Sequence, residues 1–127
     1  RDNLVLLLQA LRAELDQLPG DRRLLTLTIG ATDEILQNYR LQQMIPSVDW
    51  FNLQGWDYNG PWEPAVGHGA PLYPNPRAHK PVSCIDTSVR WLLKTQIPAH
   101  MIVLGVALYG RGWTGVRQAD PGDHGMN

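Results

Sequence analysis

Phe51-Asn52-Leu53-Gln54-Gly55-Trp56-Asp57-Tyr58-Asn59-Gly60-Pro61-Trp62-Glu63 runs from an apolar strand straight into a carboxylate flanked by aromatic rings and closed by Gly-Pro. A buried strand that ends this way points to a pocket mouth. Flat rings can stack on a pyranose while the carboxylate accepts hydrogen bonds from its substituents. A second stretch, Ile102-Val103-Leu104-Gly105-Val106-Ala107-Leu108-Tyr109-Gly110-Arg111-Gly112-Trp113, repeats the pattern with a cation in place of the anion. Side by side, the two endings would form an aromatic wall carrying one Asp and one Arg.

Working outward, residues 3–18 set Leu4, Leu7, Leu8, Leu11, Leu15 and Leu18 at helical spacing, with Asp2 as candidate N-cap and Pro19-Gly20 as the stop. This predicts a helix with a broad buried face. Residues near 24–31 alternate Leu25, Leu27 and Ile29 with Thr26 and Thr28 and read as a strand. Thr32-Asp33 opens a helical stretch that Pro46 ends, and the next strand occupies residues near 49–56. Residues 57–81 are polar, aromatic and proline-rich, predicting a long ordered loop. Ser83-Cys84-Ile85-Asp86 reads as a capping box opening a helix that stops near Pro98, and a third strand covers residues near 101–109.

Helix and strand alternate throughout, as in a parallel sheet with right-handed crossovers. The fold class is therefore α/β, with three parallel strands, read as apolar on both faces, and flanking helices. A closed barrel of this kind has eight strands. The chain then reads as a small open sheet or as part of a larger TIM barrel.

Composition narrows the partners. The 127 residues are 43% hydrophobic and 18% charged, the profile of one globular domain. A formal net charge of -1 gives no electrostatic drive toward nucleic acid or an anionic membrane, so neither is expected as a partner. The longest apolar run, around Leu4 to Leu8, is far short of a membrane span. Cys84 is the single cysteine, which excludes an internal disulfide, and it reads as a small helix residue. His68, His79, His100 and His124 lack metal-ligand spacing, so neither metal nor other cofactor is expected. Asp120, Asp123 and His124 sit among Gly and Pro and read as a solvated turn; Trp50 and Trp91 read as core.

In their order and spacing, Trp50 through Glu63 and Leu104 through Trp113 resemble the chitinases of glycoside hydrolase family 18. The first is similar to the sixth barrel strand with its Tyr-Asp signature, the second to the seventh with its Tyr-Gly-Arg signature. Gly67-His68-Gly69-Ala70-Pro71-Leu72-Tyr73, residues 83–92 and the opening helix extend the likeness over nearly the whole chain. The resemblance implies a partial (β/α)8 TIM barrel covering strands five to seven, with the site at the C-terminal ends of the strands. Residues 117–127 would begin an inserted domain.

The resemblance further implies retaining cleavage of β-1,4-linked N-acetylglucosamine polymers by substrate-assisted catalysis. Its catalytic positions fall on Asp57 and on Trp56, where the family usually has Tyr. Its substrate-binding positions fall on Gln54, Trp62, Glu63, Tyr109 and Arg111. Chitin or its oligomers are the implied partner, with no protein partner, in an extracellular setting. The family's general acid would lie immediately before Arg1, so the 127 residues alone are expected to be inactive. Two other readings stay open: a chitin-binding lectin on the same barrel, decided by the residue at that acid position, and an unrelated small α/β domain.

Overall fold

The computed structural model describes residues 1–76 and 83–116. His79, Asp120, Asp123, His124 and the 117–127 segment lie outside the described residues. The chain opens on helix α1 (Asp2–Asp16). Strand β1 (Thr26–Ile29), the short helices α2 (Asp33–Leu36) and α3 (Leu41–Met44) and strand β2 (Trp50–Gln54) follow. Helix α4 (Ile85–Lys94), a 3-10 turn (Ala99–Met101) and strand β3 (Ile102–Gly105) complete the described order.

The strands form one sheet in the order β1-β2-β3, and both pairings are parallel. Register aligns Leu27 with Phe51 and Ile29 with Leu53, so these four side chains share the face toward the helices. Phe51, Leu53 and Ile29 are fully buried there with Leu36, Met44, Leu92 and Ile97, and Leu8 of α1 is buried beside them. The opposite face carries Thr26, Thr28, Trp50, Asn52 and Gln54, none of them fully buried. The expectation of strands apolar on both faces is therefore corrected: period-two alternation assigns the polar members of β1 and β2 to one side. Asn52 works within that side, accepting from Trp50 Nε1 at 3.0 Å and donating to Thr26 Oγ1 at 3.4 Å. Trp50 thus lies half-buried on the face away from the core, whereas Trp91 packs at the core's margin.

Helix α1 buries a narrower stripe than its leucines promised. Val5, Leu8 and Arg12 face inward, while Leu7 and Leu11 are 54% and 41% exposed. Helical spacing lists every apolar position, but the sheet and α3 meet only the stripe at i, i+3 and i+7. Asp2 lies inside the first turn, not at the cap, and its carboxylate pairs with Arg40. The capping box of α4 is real but shifted by one residue. Cys84 is the N-cap, and its backbone N–H donates to Thr87 Oγ1 at 2.9 Å.

At the start of β2, Asp49 accepts from the Leu25 N–H at 2.7 Å and from Arg22 Nε at 3.1 Å, with Arg12 Nη1 3.7 Å away. Burial pushes its carboxyl up, but the Leu25 N–H and the two guanidiniums outweigh this and hold it below the ordinary 3.8. A depressed carboxyl stabilises the fold above its unfolded-state value and stops doing so as pH falls through its folded value. Asp49→Asn should therefore cost about 1.5–3 kcal/mol at pH 7. The gap from wild type in a urea titration of the full-length protein should stay flat down to about pH 5 and close below pH 3.8. A gap that widened in acid would contradict this.

Candidate functional site

The site lies at the opposite, C-terminal edge of the strands. Backbone pairing continues one step past the ladder, where Gly55 N–H donates to the Gly105 carbonyl at 3.2 Å. Neither glycine has room for a side chain. A Cβ on Gly55 would sit 2.3 Å from the Gly105 oxygen, and one on Gly105 would sit 2.7 Å from the Trp56 ring. The two bare backbones let the Trp56 indole lie across β3.

Asp57 follows in the left-handed region, with φ of 63°. Asp tolerates this conformation better than most residues, yet it still has to be held by its surroundings. Its Oδ1 accepts from the Tyr109 hydroxyl and from Arg111 Nη2, each at 2.6 Å. Those hydrogen bonds, from Tyr109 first and Arg111 second, hold the Asp57 carboxyl below the ordinary 3.8 against the upward push of burial. The same contact raises the Tyr109 phenol above its ordinary 10. The carboxylate is only partly covered, at 39% exposure, and so remains reachable from solvent.

Arg111 also spans two rings, its guanidinium carbon 5.2 Å from the centre of Trp62 and 5.7 Å from that of Tyr109. A delocalised planar cation suits such a place better than an ammonium would. Tyr109 is 52% exposed and so forms pocket wall rather than core.

Two cavities meet at Asp57. A cavity of about 110 Å³ is lined by Trp56, Asp57, Gly69, Ala70, Ala107, Tyr109 and Arg111. A larger cleft, about 580 Å³, is lined on its other side by Gln54, Trp62 and Glu63, with Thr32 and Glu34 from the start of α2. The structure therefore brings together Trp56, Asp57, Tyr109 and Arg111, and it sets Gln54, Trp62 and Glu63 across the Asp57 ridge. Thr32 and Glu34 were not singled out from sequence. Their position at the helix opening that follows the first strand was the available signal.

Tyr58, by contrast, turns inward. It is 6% exposed, and its hydroxyl donates to Ser88 Oγ on α4 at 2.9 Å. Burial raises its phenol above 10, partly offset by that hydrogen bond. Among the described residues no three His, Cys, Asp or Glu side chains are grouped to hold a metal ion, and no helix is long and apolar enough to cross a membrane.

Comparison with known proteins gives this geometry its context. Chitinase A1 of Niallia circulans is 34% identical over 98% of this chain, which spans 19% of that protein. Among solved structures, chitinase ChiW of a Paenibacillus strain superposes with a TM-score of 0.87 at 26% identity, covering 99% of this chain and 15% of that one. The catalytic domain of psychrophilic chitinase B from Arthrobacter TAD20 gives 0.83 at 30% identity, covering 95% of this chain and 30% of that one. The three parallel strands are thus part of a (β/α)8 barrel, with Asp57 and Arg111 on the segments that follow β2 and β3, where such barrels carry their sites. With the family model for glycosyl hydrolases family 18 matching residues 1–126, the chain belongs to that family.

Proposed function

We propose that this chain supplies part of the catalytic barrel of a retaining chitinase-type hydrolase acting on β-1,4-linked N-acetylglucosamine polymers. The observation that carries the reading is the Asp57 carboxylate, fixed by Tyr109 and Arg111 at 2.6 Å each on the mouth of a barrel of this family. In substrate-assisted cleavage the sugar's own acetamido oxygen forms a bond to C1 as the glycosidic C1–O bond breaks. A proton from a general acid outside this chain goes to the leaving oxygen. The ring so formed carries positive charge, which an ionised carboxylate beside the acetamide nitrogen stabilises. Water then attacks C1 as the bond from C1 to the acetamido oxygen breaks, giving its proton to the conjugate base of that general acid, so the acetamide is restored and the anomeric configuration retained.

Asp57 suits that task because its depressed pKa keeps it charged through the neutral and mildly acidic range. Trp56 offers an indole N–H where the family usually has a phenol. It can donate to the acetamide oxygen but cannot accept. Gln54, Trp62 and Glu63 line the larger cleft, where Trp62, 57% exposed, offers a stacking face and the two polar side chains meet sugar hydroxyls. A polymer of this kind is met outside the cell, and an extracellular location goes with the reading.

The test is to incubate the full-length protein with N-acetylglucosamine tetramers and follow the products by proton NMR. Cleavage releasing the β-anomer first is expected. Release of the α-anomer first would refute retention. Tight binding without cleavage would replace the hydrolase with a lectin.

A further inference from the structure

We infer that Tyr58 and Ser88 form a buried positioning relay that holds Asp57 in its working conformation. The inference rests on the reading of Asp57 given above and extends it to two buried residues, of which Tyr58 also borders the larger cleft. Three segments distant in sequence converge on one hydroxyl. Ser88, fully buried on α4, accepts from the Tyr58 hydroxyl at 2.9 Å, and its own proton faces the Ala31 carbonyl at 2.5 Å, just beyond the end of β1. The Cys84 carbonyl, one turn back on α4, lies 3.1 Å from the same oxygen. The relay therefore ties the loop after β2 to α4 and to the end of β1.

What it anchors is the residue immediately before Tyr58. Asp57 has a left-handed backbone, which persists only where flanking structure fixes it. On the solvent side Tyr109 and Arg111 hold its carboxylate. On the core side the next residue is pinned twice, by its hydroxyl to Ser88 and by its backbone N–H to the Gly69 carbonyl at 3.0 Å. Two solvent-exposed partners, Tyr109 and Arg111, set where the carboxylate points. The buried relay sets where its backbone stands. Loss of either hydroxyl leaves its partner with one fewer bond in a dry site and frees the Asp57–Tyr58 peptide to turn.

Ser88→Ala and Tyr58→Phe in the full-length protein are each expected to lower kcat for chitin oligomers about tenfold with KM within about twofold, since a misplaced carboxylate slows the step without removing the binding surface. The double variant should be no slower than either single one, because the two hydroxyls act as one unit. Val48→Ala, a core-destabilising change away from the site, serves as the control and should leave kcat within about twofold. A second readout is independent of turnover. Exchange of the Tyr58 amide, followed by NMR, should speed up about tenfold in both relay variants and stay as in wild type in the control. Wild-type protein that does not cleave would sink the hydrolase reading alone, and the amide exchange then decides the relay. Unchanged kcat, or exchange unchanged in the relay variants, would overturn it.

Discussion

Asp57→Asn in the full-length protein is expected to lower kcat/KM for N-acetylglucosamine oligomers about 10²–10³-fold, the size of effect that follows from removing one preorganised group aimed at developing charge. The substitution is nearly isosteric and keeps an oxygen able to accept from Tyr109 and Arg111, so the loop should keep its shape. What disappears is the negative charge. Arg111 would then face a neutral amide, and the positive charge formed on the substrate would have no counter-ion beside it. The pH profile gives a second check. Because Tyr109 and Arg111 hold the Asp57 carboxyl below 3.8, its protonated form accumulates only under more acidic conditions. An acidic limb caused by Asp57 therefore belongs below pH 3.8, and any limb seen nearer neutrality comes from another group. Activity within threefold of wild type in the Asn variant would remove Asp57 from the chemistry.

The second large effect concerns a residue without a side chain. Gly55→Ala would place a methyl group 2.3 Å from the Gly105 carbonyl oxygen and 2.9 Å from a Leu104 methyl. Both neighbours lie on β3, and the closer one is backbone, which cannot swing aside. The strands must part locally, breaking the bond from Gly55 N–H to the Gly105 carbonyl and lifting Trp56 from its seat on Gly105. A destabilisation of about 1–3 kcal/mol is expected from the overpacking, read from the urea midpoint. Activity should fall further than stability does, because Asp57 and Trp56 move with the strand end. A Gly55→Ala variant as stable and active as wild type would mean the strands can separate freely at that point.

Much of the architecture could be read from the order of patterns along the chain, because strand and helix periods are local properties. The convergence of Asp57 with Tyr109 and Arg111 was readable for a related reason: both stretches end an apolar strand, and parallel neighbours put their ends on the same edge. Other features needed the register itself. That Gly55 and Gly105 face each other depends on Gln54 pairing with Gly105, which no count of apolar residues supplies. Tyr58 reads in sequence as one of the two rings flanking the Asp57 carboxylate. Its inward turn depends on the left-handed backbone of Asp57 and on a serine thirty positions later. The leucines of α1 misled in the other direction, since spacing identifies apolar positions but not which of them meet a neighbour.

The placement of Arg111 has a bearing on how any ring enters the larger cleft. One π surface of Trp62 is already shadowed by the guanidinium, 5.2 Å from the ring centre. An incoming ring that settles on that same surface has to displace the cation. Because the same guanidinium is bonded to Asp57 Oδ1 at 2.6 Å, that displacement would act on the Asp57 ion pair as well.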